Sequence, residues 1–356
     1  MNANQAVNRL FLMATAPFLG MMIWMLTVQT SQLMPAIPQL LKLDSPAFTL
    51  GEETAAMEQQ LEQAAEDSSS IKTTIQKYFD TYTKSAEDVS VMLERATAQT
   101  GRPALIFDNR IAAAFGQPVK HAASANIDLK LYSFQDQNYR GYALKAELKT
   151  DKAMKMALGG DKLGKSETTL AAANRLGAIA GVNAGGFADA NGKRYPTGNT
   201  IQNGKYVYGF FPSGDLVFVG MNGDRQLIGG KFDRQDQLDK LNPQFGASFT
   251  PILLQEGKKQ TIPVKWMTSP YRAARTVVGN FRNNQILFIV TNGSDDRGSS
   301  GASLAELQDK LQTLGVQDAY NLDGGGSSTL VWGNEVVNQP SDGRMRAMPT
   351  HFVFFK

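Results

Sequence analysis

Hydrophobic and polar positions give this chain three successive textures. Residues 10–28 carry no charge and are rich in Leu, Met, Phe, Ile and Trp. At a rise of ~1.5 Å per residue, a helix of that length spans about one bilayer core. The run exceeds the apolar segment of a cleaved leader and no small-x-small site follows it, so it predicts a signal anchor. Residues 29–50, with Pro35, Pro38 and Pro46, predict an extended membrane-proximal linker. Glu52 to Asp67 is acidic without a basic residue, and Ser68, Ser69 and Ser70 offer helix-start chemistry. Beyond them Ile71, Ile75, Tyr78, Phe79, Tyr82, Val89, Met92 and Leu93 recur at helical spacing. That pattern predicts an amphipathic stalk helix whose stripe docks on the chain's own globular part.

After Pro103 the period shortens to two. A strand is expected at residues 104–107, followed by alternating Ile127, Leu129, Leu131 and Tyr142, Leu144, Ala146, Leu148. A helix is expected at 167–176 and a buried strand at 178–182. A meander with turns at Asn191-Gly192, Asn203-Gly204, Ser213-Gly214 and Asn222-Gly223 comes next. Strands at 277–279 and 286–291, a helix at 304–314 and further strands close the chain. The expected class is α+β, with mixed, mostly antiparallel sheets, interspersed helices, and a transmembrane helix and helical stalk in front. The implied division is 1–29 for cytoplasmic tip and anchor, 30–100 for linker and stalk, and 101–356 for the globular domain.

Composition narrows the chemistry. With 356 residues, 42% of them hydrophobic, the chain holds enough apolar material for a full-sized core. A net charge of +3 with scattered Lys and Arg argues against nucleic acid as a partner. The absence of cysteine removes disulfides, thiol nucleophiles and thiolate metal sites. Only His121 and His351 remain as imidazoles, in neither a ligand nor a triad pattern, and His351 reads as a satisfied strand residue. No cofactor is indicated, and a divalent metal is left open. Arg9 precedes the apolar run and the next basic residue is Lys42, so the positive-inside bias holds the N-terminus in the cytoplasm. The protein is then a single-pass inner-membrane protein, attached through residues 10–28, with its globular domain periplasmic or extracellular.

One motif matches by letter alone. Gly159, Gly164, Lys165 and Ser166 satisfy G-x-x-x-x-G-K-[ST], which would make the chain a phosphate-loop triphosphatase. The motif needs a buried strand to deliver the loop, and residues 152–158, with two lysines and two methionines, lack that character. A Gly/Lys loop ahead of a helix is the preferred reading.

Four other blocks carry binding chemistry. Asn183, Gly185 and Gly186, with Asp189 shortly after, follow the buried strand. Arg275 precedes Thr276. Asn292, Asp295, Asp296 and Arg297 end a strongly apolar strand. Last, Asn321, Asp323, Gly324, Gly325, Gly326, Ser327 and Ser328 set a carboxylate and two hydroxyls around three glycines. Successive amides there can converge on an anion beside the Asp323 charge.

In this order and spacing the blocks, with Asn338-Gln-Pro-Ser-Asp-Gly343 near the end, resemble the phosphodiester glycosidase family over roughly residues 127–356. The resemblance implies a hydrolase acting on the bond between a sugar's anomeric carbon and a phosphodiester, in cell-envelope or exopolysaccharide metabolism. It implies catalytic roles for Asp323, Arg275 and Asn183. Arg346 and Arg297 would share the phosphate, with Gly185, Gly186, Asp296, Asn321, the three glycines, Ser327 and Ser328 binding substrate. The implied partner is a phosphorylated glycan. A non-catalytic envelope protein that binds a glycan or sugar phosphate in the same cleft is the alternative.

Overall fold

The computed structural model describes residues 50–295 and 298–356. The expected anchor at residues 10–28 lies outside them, as do Asp296 and Arg297. Among the described residues no helix is long and apolar enough to cross a membrane. The chain divides between Ala86 and Glu87 into two units.

The first described element is the helix Leu50–Phe115. It is already helical ahead of the three serines, because Met57 and Leu61 carry the apolar stripe upstream of them. The side chains of its stripe are exposed, from 58% at Ile71 to 73% at Tyr82. Amphipathicity states that a face needs a partner and leaves the partner unnamed. The strand expected at 104–107 is also helix. An apolar run of four has no period of its own, and here Phe107, Ile111 and Phe115 continue it at spacing four into the core, where Phe107 stacks on Phe281 at 4.7 Å.

The remainder is α+β, and every strand pairing among the described residues is antiparallel. An eight-stranded sheet runs Lys120–Ala123, Ile127–Gln135, Arg140–Leu148, Ile286–Thr291, Thr276–Asn280, Asp318–Leu322, Ile252–Gln255, Lys258–Lys259. Its middle strand Ile286–Thr291 is buried throughout because both faces are covered. Ile286, Phe288 and Val290 enter the central core. Leu287 and Ile289 enter a second core under the helix Leu304–Leu314. That helix starts on a capping box, Ser303 with Glu306, and stops at Gly315.

Two five-stranded sheets close the central core from the other side. One is Glu335–Val336, Leu330–Trp332, Ala180–Asn183, Thr350–Phe354 and Met154–Leu158; the other is Leu227–Gly230, Val217–Asn222, Pro243–Phe249, Ile201–Gln202 and Lys205–Tyr206. The strand Met154–Leu158 corrects the reading of that stretch as non-strand. Met154, Met156 and Leu158 are buried and Lys155 is exposed, so the lysine that masked the alternation lies on the outer face of an edge strand. The helix Thr169–Leu176 covers the outer face of this sheet through Ala173.

Candidate active site

Three strand ends from two sheets meet at one place. Leu322 pairs with Thr276, so Arg275 and Asp323 leave neighbouring antiparallel strands together. Asn183, at the end of Ala180–Asn183 in the other sheet, reaches across. Its Nδ2 donates to the Asp323 carbonyl (2.7 Å), and its Oδ1 accepts from Thr276 Oγ1 (2.9 Å) and the Thr329 amide (3.0 Å). Ser328 Oγ lies 3.1 Å from Thr276 Oγ1. Asn183, Thr276, Ser328 and Thr329 are buried, and Asp323 is half-buried. Asn183, given a catalytic role by the resemblance, is therefore saturated by protein and positions the Asp323 backbone.

Asp323 is the unusual member. Its Oδ1 accepts from the Gly324 amide at 3.0 Å, while Oδ2 is buried without a hydrogen-bond partner among the described residues. Burial pushes its carboxyl up to about 6, against the lowering influence of the Ser327 hydroxyl, the Arg346 charge, the Gly324 amide and the Arg194 charge. A buried acceptor left bare normally costs stability, so it points to a partner that arrives from outside.

The cations around it differ from those expected. Arg275 is 2% exposed, and its guanidinium donates to the carbonyls of Ala302 (Nε, 3.2 Å) and Pro270 (Nη2, 2.7 Å). It braces two loops behind the glycine block, and burial lowers its pKa. Arg346 lies over the glycine block: Nη1 donates to Ser327 Oγ at 3.2 Å and Nη2 to Asp342 at 2.6 Å. Arg194 was not foreseen. It grips Asp189 with two hydrogen bonds of 2.8 Å, donates to the Ala347 carbonyl at 2.6 Å, and lies 4.0 Å from the Phe187 ring centroid, with Arg346 at 6.0 Å from the same ring. The sequence did hold a signal for it. Asn191-Gly192 is a two-residue hairpin turn, and the register Asp189 to Arg194 follows from that turn. Asp189, exposed and engaged by Arg194, has its carboxyl held low.

The glycines are required by packing. A Cβ on Gly185 would lie 2.8 Å from Ala247 Cβ, and one on Gly186 2.8 Å from the Phe249 ring; their amides go to Thr350 Oγ1 and the Ser248 carbonyl. A Cβ on Gly324 would meet the Ala274 carbonyl at 3.2 Å, and the Gly325 amide donates to that same oxygen (2.7 Å). At Gly326 a side chain would collide with the Asp342 carboxylate and the Arg346 guanidinium, so only glycine lets this ion pair settle over the block. Asn321 donates its Nδ2 to the Thr250 carbonyl at 2.7 Å. Among the described residues no group of three or more acidic, His or Cys side chains is gathered as metal ligands.

A family model described as phosphodiester glycosidase matches residues 176–355. The chain belongs to the phosphodiester glycosidase family. Similar curated proteins are the N-acetylglucosamine-1-phosphodiester alpha-N-acetylglucosaminidases of Mus musculus, 27% identical over 161 residues (41% of this chain, 30% of the mouse protein), and Homo sapiens, 36% over 70 residues (20% and 13%). The chain thus spans under a third of these relatives' lengths. Among solved structures, the zebrafish catalytic domain of that name, described as auto-inhibited by its pro-peptide, has a TM-score of 0.56 at 22% identity, covering 67% of this chain and 87% of the other. A hypothetical protein from Synechocystis has a TM-score of 0.50 at 13% identity, covering 66% and 63%. These two likenesses concern the fold. The family match encloses Asp323, Arg346, Arg194 and Phe187, the residues that the geometry draws together.

The letter-perfect phosphate loop has its anion place filled by the protein. The Gly160 amide donates to Glu167 Oε1 (2.9 Å), and Arg175 bridges Glu167 and Asp161. A triphosphate there would meet two carboxylates. His351, beside this loop, is fully buried. Its Nε2 donates to the Met348 carbonyl (3.1 Å), so Nδ1 accepts from Thr169 Oγ1 (3.1 Å), which makes it the satisfied strand residue expected.

Proposed function

We propose that the chain is a hydrolase of sugar-1-phosphodiesters with Asp323 at the reacting centre. Arg194 and Arg346 bind the phosphate. Water attacks the anomeric carbon and loses its proton to the Asp323 carboxylate. The carbon–oxygen bond breaks with its electron pair going to the phosphate oxygen, which yields free sugar and a phosphomonoester. An anionic phosphodiester leaves readily once its charge is met by guanidinium groups, so this site needs little general-acid help and no histidine. Family membership supports the reaction class. The observation that carries the reading is the bare, buried Oδ2 of Asp323 within the influence of two arginines.

The apolar run at residues 10–28 would anchor the protein in the inner membrane, N-terminus inside, and hold the family domain among the phosphorylated glycans of the envelope or an exopolysaccharide. Only the sequence pattern supports that placement, and protease accessibility in intact cells and spheroplasts tests it. For the activity, the full chain is incubated with sugar-1-phosphodiesters of several sugars while free sugar and phosphomonoester are followed together. Equal release of both products supports the reading. Tight binding without release leaves the glycan-binding alternative standing.

A further inference from the structure

We infer that this protein self-associates through a parallel coiled coil formed by residues 57–92 of two copies of the chain. The exposed stripe of the long helix has a stricter order than amphipathicity requires. Met57, Leu61, Ala64, Ser68, Ile71, Ile75, Tyr78, Tyr82, Ser85, Val89 and Met92 follow one another at alternating steps of four and three. This is a seven-residue repeat sustained over five heptads, with nine of its eleven seam positions apolar and both exceptions the small residue serine. The large members of the seam are exposed, Tyr78 at 72%, Ile75 at 63% and Met92 at 70%.

The period identifies the kind of occupant. A straight α-helix drifts by ~20° per heptad against a 3.5-residue repeat, about a quarter turn over the length of this seam. A rigid sheet face cannot follow that drift, whereas another helix follows it by supercoiling. This chain has no such helix to offer among its described residues: the next longest, Leu304–Leu314, has 11 residues and is packed in the core. The partner is therefore another chain, and charge selects a second copy in parallel register. With Ile75, Tyr82 and Val89 at the first core position of each heptad, Asp67 of one helix faces Lys72 of its neighbour. The equivalent flanking pairs, Gln60 with Ala65, Thr74 with Phe79, Thr81 with Ala86 and Asp88 with Leu93, contain no like charges. The outer positions Glu62, Glu66, Gln76, Lys77, Asp80 and Lys84 are polar.

Sedimentation equilibrium of the full chain in detergent, corrected for bound detergent, is the primary test. Two or more copies are expected for the parent and for Thr83→Lys, on the outer face. A single copy is expected for Ile75→Lys combined with Tyr82→Lys, with helical circular dichroism of the globular part and hydrolysis of sugar-1-phosphodiesters unchanged. A parent that sediments as one chain, or a double variant that sediments like the parent, overturns the proposal. The absence of cysteine gives a second measurement. Ser68→Cys and Ser85→Cys, as separate variants, should each form a disulfide-linked pair on mild oxidation, and Thr83→Cys should not. An antiparallel pair brings at most one of the two seam positions opposite itself, so cross-linking at only one, or equally at Thr83, also overturns it.

Discussion

Two glycine loops in this protein can be compared directly. The loop after Met154–Leu158 has every letter of a phosphate-binding motif, and the loop after Asp318–Leu322 has a carboxylate, three glycines and two serines. Both follow strands and both offer backbone amides. In the first, Glu167 takes the Gly160 amide and Arg175 neutralises Glu167 and Asp161, so the polar groups have partners within the chain. In the second, the surrounding hydrogen bonds are equally complete but converge on one acid whose Oδ2 they leave bare. The difference teaches that spelling alone does not make an anion site. What matters is whether the fold has already satisfied the donors and acceptors that a ligand would use.

The comparison is broken most severely at Asp323. Replacing it by Asn should lower kcat by at least about 10³-fold, the loss of a general base, measured as phosphomonoester release. The same change should raise thermal stability at pH 7. The carboxyl's folded pKa of about 6 lies above its unfolded value, so ionisation costs stability as pH rises from about 4 to 6 and Asn escapes that cost; below pH 4 the two proteins should melt alike. The parent's activity should rise through about pH 6 as the carboxylate forms. A variant that is fully active removes Asp323 from the chemistry.

Arg346→Ala and Arg194→Ala should each cost about 10²-fold in kcat/KM, the scale of losing one preorganised charge at a transition state. Gly326→Ala should match Arg346→Ala, since its methyl would dislodge the Asp342–Arg346 pair. Should Gly326→Ala retain activity while Arg346→Ala loses it, the glycine does not hold that pair in place.

The first loop is sharpened through His351 beneath it. Burial depresses this imidazole to about 4, so it is neutral in the fold and protonated in the unfolded chain between pH 6.5 and 4. The sign follows: stability is lost as pH falls through that window, by about 3 kcal/mol at its acid end. In His351→Gln, which has no proton to gain, urea midpoints should change less over the same range. A parallel slope in the variant would assign the acid sensitivity elsewhere. The smallest effect belongs to Lys165→Ala. Its activity should stay within about twofold of the parent, and neither protein should bind a nucleoside triphosphate in titration calorimetry, because the loop's anion position is held by Glu167 and Asp161.

Much of the fold could be read from periodicity. The strand Ile286–Thr291, the helix Leu304–Leu314, and the Asn191-Gly192 and Asn203-Gly204 hairpins stand where the pattern put them. Failures fell where local pattern and tertiary demand diverge. Residues 104–107 joined a helix because Ile111 and Phe115 needed the same core, and Lys155 hid an edge strand. At the site, the Asp323 block was legible because three consecutive glycines between an acid and two serines are rare in simple turns. The duties of Asn183 and Arg275 were not. A buried Asn bonded to protein and one facing a ligand are the same letter, and the Asn183–Asp323 contact joins positions 140 residues apart.

By itself, the sequence determined what depends on neighbours along the chain: the heptad seam, the alternation of strands, the capped helices, the hairpin turns and the family's glycine block. Tertiary structure decided which polar groups found partners, placing Arg275 inside the protein, Arg194 beside Phe187 and Asp323 under the charge of two arginines. The physical reason is that hydrogen-bond saturation and desolvation are set by atoms brought together from distant strands, whose separation in sequence carries no periodic trace.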